Sequence, residues 1–215
     1  MVDAQPAAGE GTAGRSRVAV LGAGSWGTTI SHTLAATTDV VLWARDAALV
    51  AELRERRTNE RHLLGAVLDD RVRIEGDVAA ALEGADVVLV AVPTFGLRAV
   101  VAASAGHLPP AVPVVSLAKG FEPSTGRRMT EVIAEEAPGH PVGALTGPNL
   151  AREIFDGHAA ASVLAMADDA IAASLQDVLS TANLRVYRND DVVGCELAGA
   201  LKNVVAIAAL SLIHI

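Results

Sequence analysis

The chain contains a single cysteine, Cys195, in 215 residues. That excludes an intramolecular disulfide framework and any cysteine-based zinc spacing, and it fits a reducing cytosol, so a cytoplasmic location is expected. Aromatic residues make up 3% of the chain, supplied by Trp26, Trp43, Tyr187 and three Phe. Lysine is scarcer still: the 17 basic residues include only Lys119 and Lys202, the rest being arginine. The net charge is −8, with acids and arginines dispersed. No basic stripe exists to track a phosphate backbone, which argues against nucleic-acid binding. The six histidines are scattered without H-x-x-x-H or comparable spacing, so no metal is expected. Residues 1–16 are rich in Ala and Gly and lack the apolar core of a signal peptide, so they read as a disordered tail. The most apolar stretch, 197–215, is interrupted by Lys202 and Asn203. What remains uncharged is too short to span a bilayer, so a buried helix without membrane insertion is the expectation.

What is present is an ordinary globular composition, 51% hydrophobic and 20% charged, long enough for one well-buried domain plus part of another. Short β-branched runs alternate with longer helical patterns, the signature of a parallel α/β sheet. Strands are predicted at 17–21, 40–44, 72–74, 87–92, 112–117, 142–145, 161–165 and 184–187. Helices are predicted at 26–36, 47–56, 78–83, 96–105, 126–136, 150–155, 170–179 and from 192 onward, with an irregular stretch between the second helix and third strand. Asp77 stands where a helix N-cap belongs. The fold expected is a Rossmann-type doubly wound, mainly parallel sheet, whose ligand sits outside the carboxyl ends of the strands.

Gly22-Ala23-Gly24-Ser25-Trp26-Gly27 reads G-x-G-x-x-G directly after a strand and at the opening of a helix, the context that makes it a dinucleotide fingerprint. Gly22 allows the tight turn, Gly24 removes a side chain where a pyrophosphate must approach, and Gly27 lets the helix pack on the sheet. The helix N-terminus offers free N–H groups to the anion. At the end of the second strand, where an NAD site would carry an acid, stands Arg45. A guanidinium suits a 2′-phosphate and favours NADPH; a solvated arginine is the alternative, and Asp46 leaves NADH open.

Where arginine supplies nearly all positive charge, a lysine points to proton transfer, because lysine can lose its proton when partly buried. Lys119 follows a predicted strand at the cofactor crevice. Lys202 sits in a helix otherwise apolar on every face, where a charge should be paired or functional; a snorkelling surface lysine is the alternative for each. Asn149, in Gly147-Pro148-Asn149, is placed as a helix N-cap or as a ligand for a hydroxyl, the cap being favoured from the segment alone. Cys195 reads as a packing residue rather than a nucleophile.

Taken together, these segments resemble one family, the bacterial NAD(P)-dependent glycerol-3-phosphate dehydrogenases. The resemblance is carried by Gly22 to Thr28, Val41-Leu42-Trp43-Ala44-Arg45, Ala91-Val92-Pro93-Thr94, Ser116-Leu117-Ala118-Lys119-Gly120, Leu145-Thr146-Gly147-Pro148-Asn149-Leu150-Ala151 and Glu196-Leu197-Ala198-Gly199-Ala200-Leu201-Lys202-Asn203-Val204, in the family's order. It implies that Ser25, Trp26 and Arg45 contact NADPH and that Lys119 lies between cofactor and substrate. It also implies that Gly147 and Asn149 hold the substrate, that Ala151 packs on the nicotinamide side, and that Lys202 is the catalytic acid/base. The implied reaction is reversible hydride transfer between NAD(P)H and dihydroxyacetone phosphate, giving sn-glycerol 3-phosphate for phospholipid synthesis, with room for a homodimer in the full-length form. Where the family has Asn-x-x-Tyr-Leu-Pro, this chain has Asn59-Glu60-Arg61-His62-Leu63-Leu64. His62 thus takes a cofactor-contacting aromatic position, or is an exposed loop histidine. The family continues into an all-helical substrate domain that 210–215 does not resemble. The expectation is therefore a tail at 1–16, a cofactor domain at 17–191 and an incomplete helical domain at 192–215, a truncated form with poor or absent turnover. The competing readings are another two-domain Rossmann dehydrogenase, against which the Lys202 segment argues, and a non-catalytic NADPH-binding module.

Overall fold

A computed structural model describes residues 14–211. In chain order the elements are β1 (Arg17–Leu21), α1 (Ser25–Leu34), β2 (Asp39–Trp43), α2 (Ala47–Glu55), β3 (Thr58–Asn59), β4 (Leu63–Val67), β5 (Arg73–Glu75), α3 (Val78–Leu82), β6 (Val87–Val90) and α4 (Thr94–Ser104). There follow β7 (Val114–Ser116), α5 (Met129–Glu136), β8 (Val142–Thr146), α6 (Ala151–Phe155), β9 (Ala160–Met166), α7 (Asp169–Leu179), β10 (Leu184–Asn189) and α8 (Val192–Ser211).

Eight strands form one sheet in the order β10-β9-β8-β7-β6-β1-β2-β5, and β3 and β4 make a separate antiparallel pair. Every neighbouring pair in the large sheet is parallel except β8–β9. Strand pleating sends alternate residues to opposite faces. Val18, Val20, Val87 and Leu89 therefore pack with Ile30 and Leu34 of α1 and Leu175 of α7 on one side. Ala19, Leu21, Val88 and Val90 pack with Leu97 of α4 and Met129 and Ile133 of α5 on the other. All four residues of β6 are inaccessible to solvent, as an unalternating apolar run requires of a strand covered on both faces. The order in which strands are added reverses between β1 and β6, from β2 on one side to β7 on the other, so the crevice of a doubly wound sheet opens beyond Leu21 and Val90.

Asp77 caps α3 as expected, accepting from the N–H groups of Ala79 and Ala80. The stretch expected to be irregular holds the β3–β4 hairpin. The tail expected at 1–16 lies outside the described residues up to residue 13. Beyond it, Arg15 donates to the carbonyl of Thr37 and Ser16 accepts from Asp39 N–H. Residues 212–215 also lie outside.

The buried helix expected near the C-terminus is overturned. α8 forms, but its apolar face is bare: Leu201 is 45% exposed, Val204 61%, Ile207 69% and Leu210 63%. The apolar composition marks the helix, but among the described residues nothing covers these side chains. By length and composition Val192–Leu210 could cross a membrane, at a mean hydropathy of 1.6. Its first turns nonetheless belong to the α/β layers, because the buried carboxylate of Glu196 accepts from Arg128 Nη1 at 2.9 Å and from the N–H of Thr130 at 3.0 Å.

Candidate functional site

The glycine loop closes the crevice at the end of β1. Gly22 has φ +115°, and an added Cβ would lie 2.6 Å from Val92 and 2.7 Å from the carbonyl oxygen of Ala91. At Gly27 the added atom would lie 1.8 Å from the carbonyl oxygen of Gly22. Both glycines are thus required by packing inside the chain. Gly24 differs, since an added Cβ there meets nothing within 4 Å. Its missing side chain serves only what lies outside the protein. Gly24 is also the N-cap of α1, a ten-residue helix, and gives it no side-chain hydrogen bond, so the first N–H groups are left without a side-chain cap. Ser25 is exposed and Trp26 half-buried, with the indole Nε1 buried and unpaired. A pyrophosphate fits this cradle: an anion, close backbone approach, and donors that have no side-chain partner among the described residues.

At the end of β2, Arg45 is exposed beside Asp46. The carboxylate of Asp46 is engaged as the N-cap of α2, accepting from Ala48 N–H at 2.9 Å and Leu49 N–H at 3.4 Å, and it lies 3.7 Å from Arg61. The guanidinium of Arg45, not the carboxylate, is left to face a ligand. His62 is exposed in the turn joining β3 to β4, its N–H bonded to the carbonyl of Asn59.

The second half of the site gathers at the carboxyl ends of β7 and β8. Lys119 is half-buried and donates to the carbonyl of Gly147 at 2.6 Å. Burial first, and then the charge of Lys202, hold its pKa below the usual lysine value of 10.5. Gly147 and Lys202 line one cleft of about 320 Å³, together with Thr146, Pro148, Cys195 and Gly199. α8 reaches the sheet here because Gly199 has no side chain; an added Cβ would lie 2.6 Å from the hydroxyl of Thr146. Lys202 itself is exposed. The two lysines, far apart in sequence, thus come close enough for the charge of Lys202 to act on Lys119, with Gly147 between the Lys119 ammonium and the cleft that Lys202 lines.

Asn149 corrects the sequence reading. Leu150 is the N-cap of α6 and makes no side-chain cap, so Asn149 does not cap that helix. Its Nδ2 donates to Ser162 Oγ at 2.9 Å, while its Oδ1 is buried without a partner, an acceptor suited to a ligand hydroxyl or amide. Ala151 opens α6 and accepts from Thr29 Oγ1 of α1 at 3.2 Å, which ties this half to the glycine loop's helix.

Two buried polar residues escaped the sequence reading. Glu196 anchors α8, and the argument applied to Lys202, a charge in an apolar helix, could have found it. Asn59 is 1% exposed and bonds the glycine loop. Its signal was only its place in the Asn59-to-Leu64 segment.

A family model described as NAD-dependent glycerol-3-phosphate dehydrogenase N-terminus matches residues 17–172. The chain is 47% identical over 194 residues to a glycerol-3-phosphate dehydrogenase [NAD(P)+] of Sphingopyxis alaskensis, covering 90% of this chain and 58% of that relative. It is 47% identical over 193 residues to one of Mycobacterium tuberculosis, covering 89% and 57%. The crystal structure of a glycerol-3-phosphate dehydrogenase from Coxiella burnetii superimposes with a TM-score of 0.84 at 32% identity, covering 90% of this chain and 60% of that one. The chain spans less than two thirds of the length of these relatives.

Proposed function

The chain belongs to the NAD-dependent glycerol-3-phosphate dehydrogenase family, through that family's N-terminal part, and from this premise we propose that it binds NADPH, with NADH as the weaker alternative, for reversible reduction of dihydroxyacetone phosphate to sn-glycerol 3-phosphate. In this reading residues 17–191 are the cofactor domain and 192–215 open a helical substrate domain. The reaction is a cytoplasmic one that feeds phospholipid synthesis. The cofactor, when bound, supplies the hydride. The chain's own residues do the rest. Gly22, Gly24, Ser25, Trp26 and Gly27 hold the pyrophosphate, Arg45 holds the 2′-phosphate, and His62 and Ala151 flank the cofactor. Gly147 and Asn149 orient the substrate. As negative charge grows on the reacting oxygen, Lys202 stabilises and protonates it, and Lys119 adds a second cation between cofactor and substrate.

One observation carries the reading: the only two lysines converge on one cleft at the carboxyl edge of the sheet, Lys119 bonded to Gly147, and Gly147 lining the cleft with Lys202. A second reading, a cofactor-binding module without turnover, is favoured by the uncovered apolar face of α8 beyond Lys202. Both are tested by titrating the chain with NADPH in a calorimeter and then following NADPH oxidation with dihydroxyacetone phosphate, beside Lys202→Ala. Binding with Lys202-dependent turnover supports the enzyme, and binding alone supports the module. A chain that ignores NADPH sinks both.

A further inference from the structure

We propose that Asn59 is the positioning residue of the phosphate loop, a buried amide that holds the Ala23–Gly24 peptide in the one orientation compatible with a bound pyrophosphate; this deepens the cofactor reading above and rests on it. The side chain is 1% exposed and comes from β3, 36 residues along the chain from the loop it serves. Both hydrogens of Nδ2 are used. One goes to the carbonyl of Ala23 at 2.9 Å and the other to Thr28 Oγ1 at 2.8 Å. A single amide thus bridges the residue before the anion-facing turn and the residue after it.

The need for such a bridge follows from Gly24. With open space where its Cβ would be, the phosphate can come close, but the peptide plane before it is equally free to turn over. Turned over, the Ala23 carbonyl would aim its oxygen at the phosphate and remove a donor from the cradle. A donor fixed on the far side of that carbonyl prevents the flip, and an unpaired buried carbonyl would be costly in any case. The amide is itself held from both sides. Glu52 Oε1 of α2 accepts from Thr58 Oγ1 at 3.0 Å and from Glu60 N–H at 2.8 Å, clamping the residues on either side of Asn59. Asn59 Oδ1 is buried with no partner. The side chain therefore sits where its two donors are needed, at the expense of its acceptor. An aspartate of the same shape would face the Ala23 carbonyl with an oxygen in place of the donor.

The test uses two probes on the chain: NADPH, which carries the pyrophosphate, and adenosine 2′-monophosphate, which does not. Asn59→Ala and the isosteric Asn59→Asp are each expected to weaken NADPH on the order of ten- to a hundredfold, with adenosine 2′-monophosphate unchanged within about twofold. Equal loss for both probes makes Asn59 a general structural residue and overturns the proposal, as does no loss for either. If both variants fail to fold, side-chain amide NMR of the unsubstituted chain decides. Slowly exchanging Asn59 Nδ2 protons that shift with NADPH but not with adenosine 2′-monophosphate support the role, and rapid exchange or indifference overturns it. A parent chain that binds neither probe overturns the cofactor reading, and this inference with it.

Discussion

The two halves of the candidate site are held in opposite ways. The glycine loop is wedged against its neighbours: Gly22 against Ala91 and Val92, Gly27 against Gly22, and Gly22 N–H on the Trp43 carbonyl at 3.0 Å. The Lys202 helix has an anchored beginning, at Glu196 and Gly199, and an exposed remainder. Geometry built into a sheet edge is over-determined, because β1, β2 and β6 each fix it separately. Geometry carried on one helix depends on a few named contacts. The glycine loop is therefore held by the sheet itself, and the Lys202 stretch of α8 is not.

The sharpest way to break this comparison lies within the loop itself. Gly27→Ala must displace the backbone oxygen 1.8 Å from its new Cβ. The overpacking costs about 1–3 kcal/mol or more, and a thermal midpoint lower by roughly 2–4 °C per kcal/mol is expected for a chain of this size, with NADPH binding lost. Gly24→Ala meets no neighbour and should melt with the parent, yet bind NADPH more weakly. Thermal melts and calorimetry of the two variants decide. If Gly24→Ala is destabilised as much as Gly27→Ala, the open space beside Gly24 has been misread and the loop carries no reserved site.

Much of this half was legible in the sequence because its causes are local. Continuous apolar runs marked strands to within two residues, as with Val87–Val90 inside the predicted 87–92. Asp77 announced its helix through cap chemistry that operates within three residues. The glycine spacing was readable since Gly22 and Gly27 answer a nearby backbone and Gly24 stands between them at a fixed interval. What was not legible is tertiary. β3 is two residues long, too short for any alternation, and β4 carries Gly65 at φ +70°. Asn59 acts on a loop 36 residues away. The exposure of α8 was also unreadable, because an apolar face states what it needs and not what covers it. Asn149 misled for a related reason: cap residues and ligand residues share the same chemistry, and only Ser162 across the sheet tells them apart.

The anchored start of α8 gives a second test, smaller overall and local in its reach. Glu196→Ala leaves the Thr130 N–H without its acceptor and removes one of the two carboxylates that Arg128 pairs with, the other being Glu131. Breaking a buried ion pair typically costs about 3–5 kcal/mol, but here release of α8 caps the global loss. Amide exchange across α8 should accelerate at least roughly tenfold, one decade for each 1.4 kcal/mol of local stability lost, while β1 and β6 keep their protection. Exchange that rises equally in the sheet would show that α8 and the sheet unfold as one unit, and the contrast between the halves would dissolve.

The smallest expected effect is the most specific, because it asks whether Lys119 at the sheet edge senses Lys202 on α8. Lys119 has no carboxylate partner among the described residues; its ammonium donates to the Gly147 carbonyl, and burial and the charge of Lys202 lower its pKa. The folded chain then releases this proton at lower pH than the unfolded chain. Between the lowered value and 10.5, the unfolded state binds more protons, so stability rises with pH through that window. Below the window the penalty of a buried cation is constant. With two lysines in the chain, reductive ¹³C-methylation gives two side-chain NMR signals that can be assigned by substitution. The Lys119 signal should titrate below 10.5 in the parent. Lys202→Met should move it upward without restoring it fully, since burial, the larger cause, remains. A Lys119 titration indifferent to Lys202→Met would place the two cations in separate environments, leaving the cleft without the paired lysines on which its proposed chemistry depends.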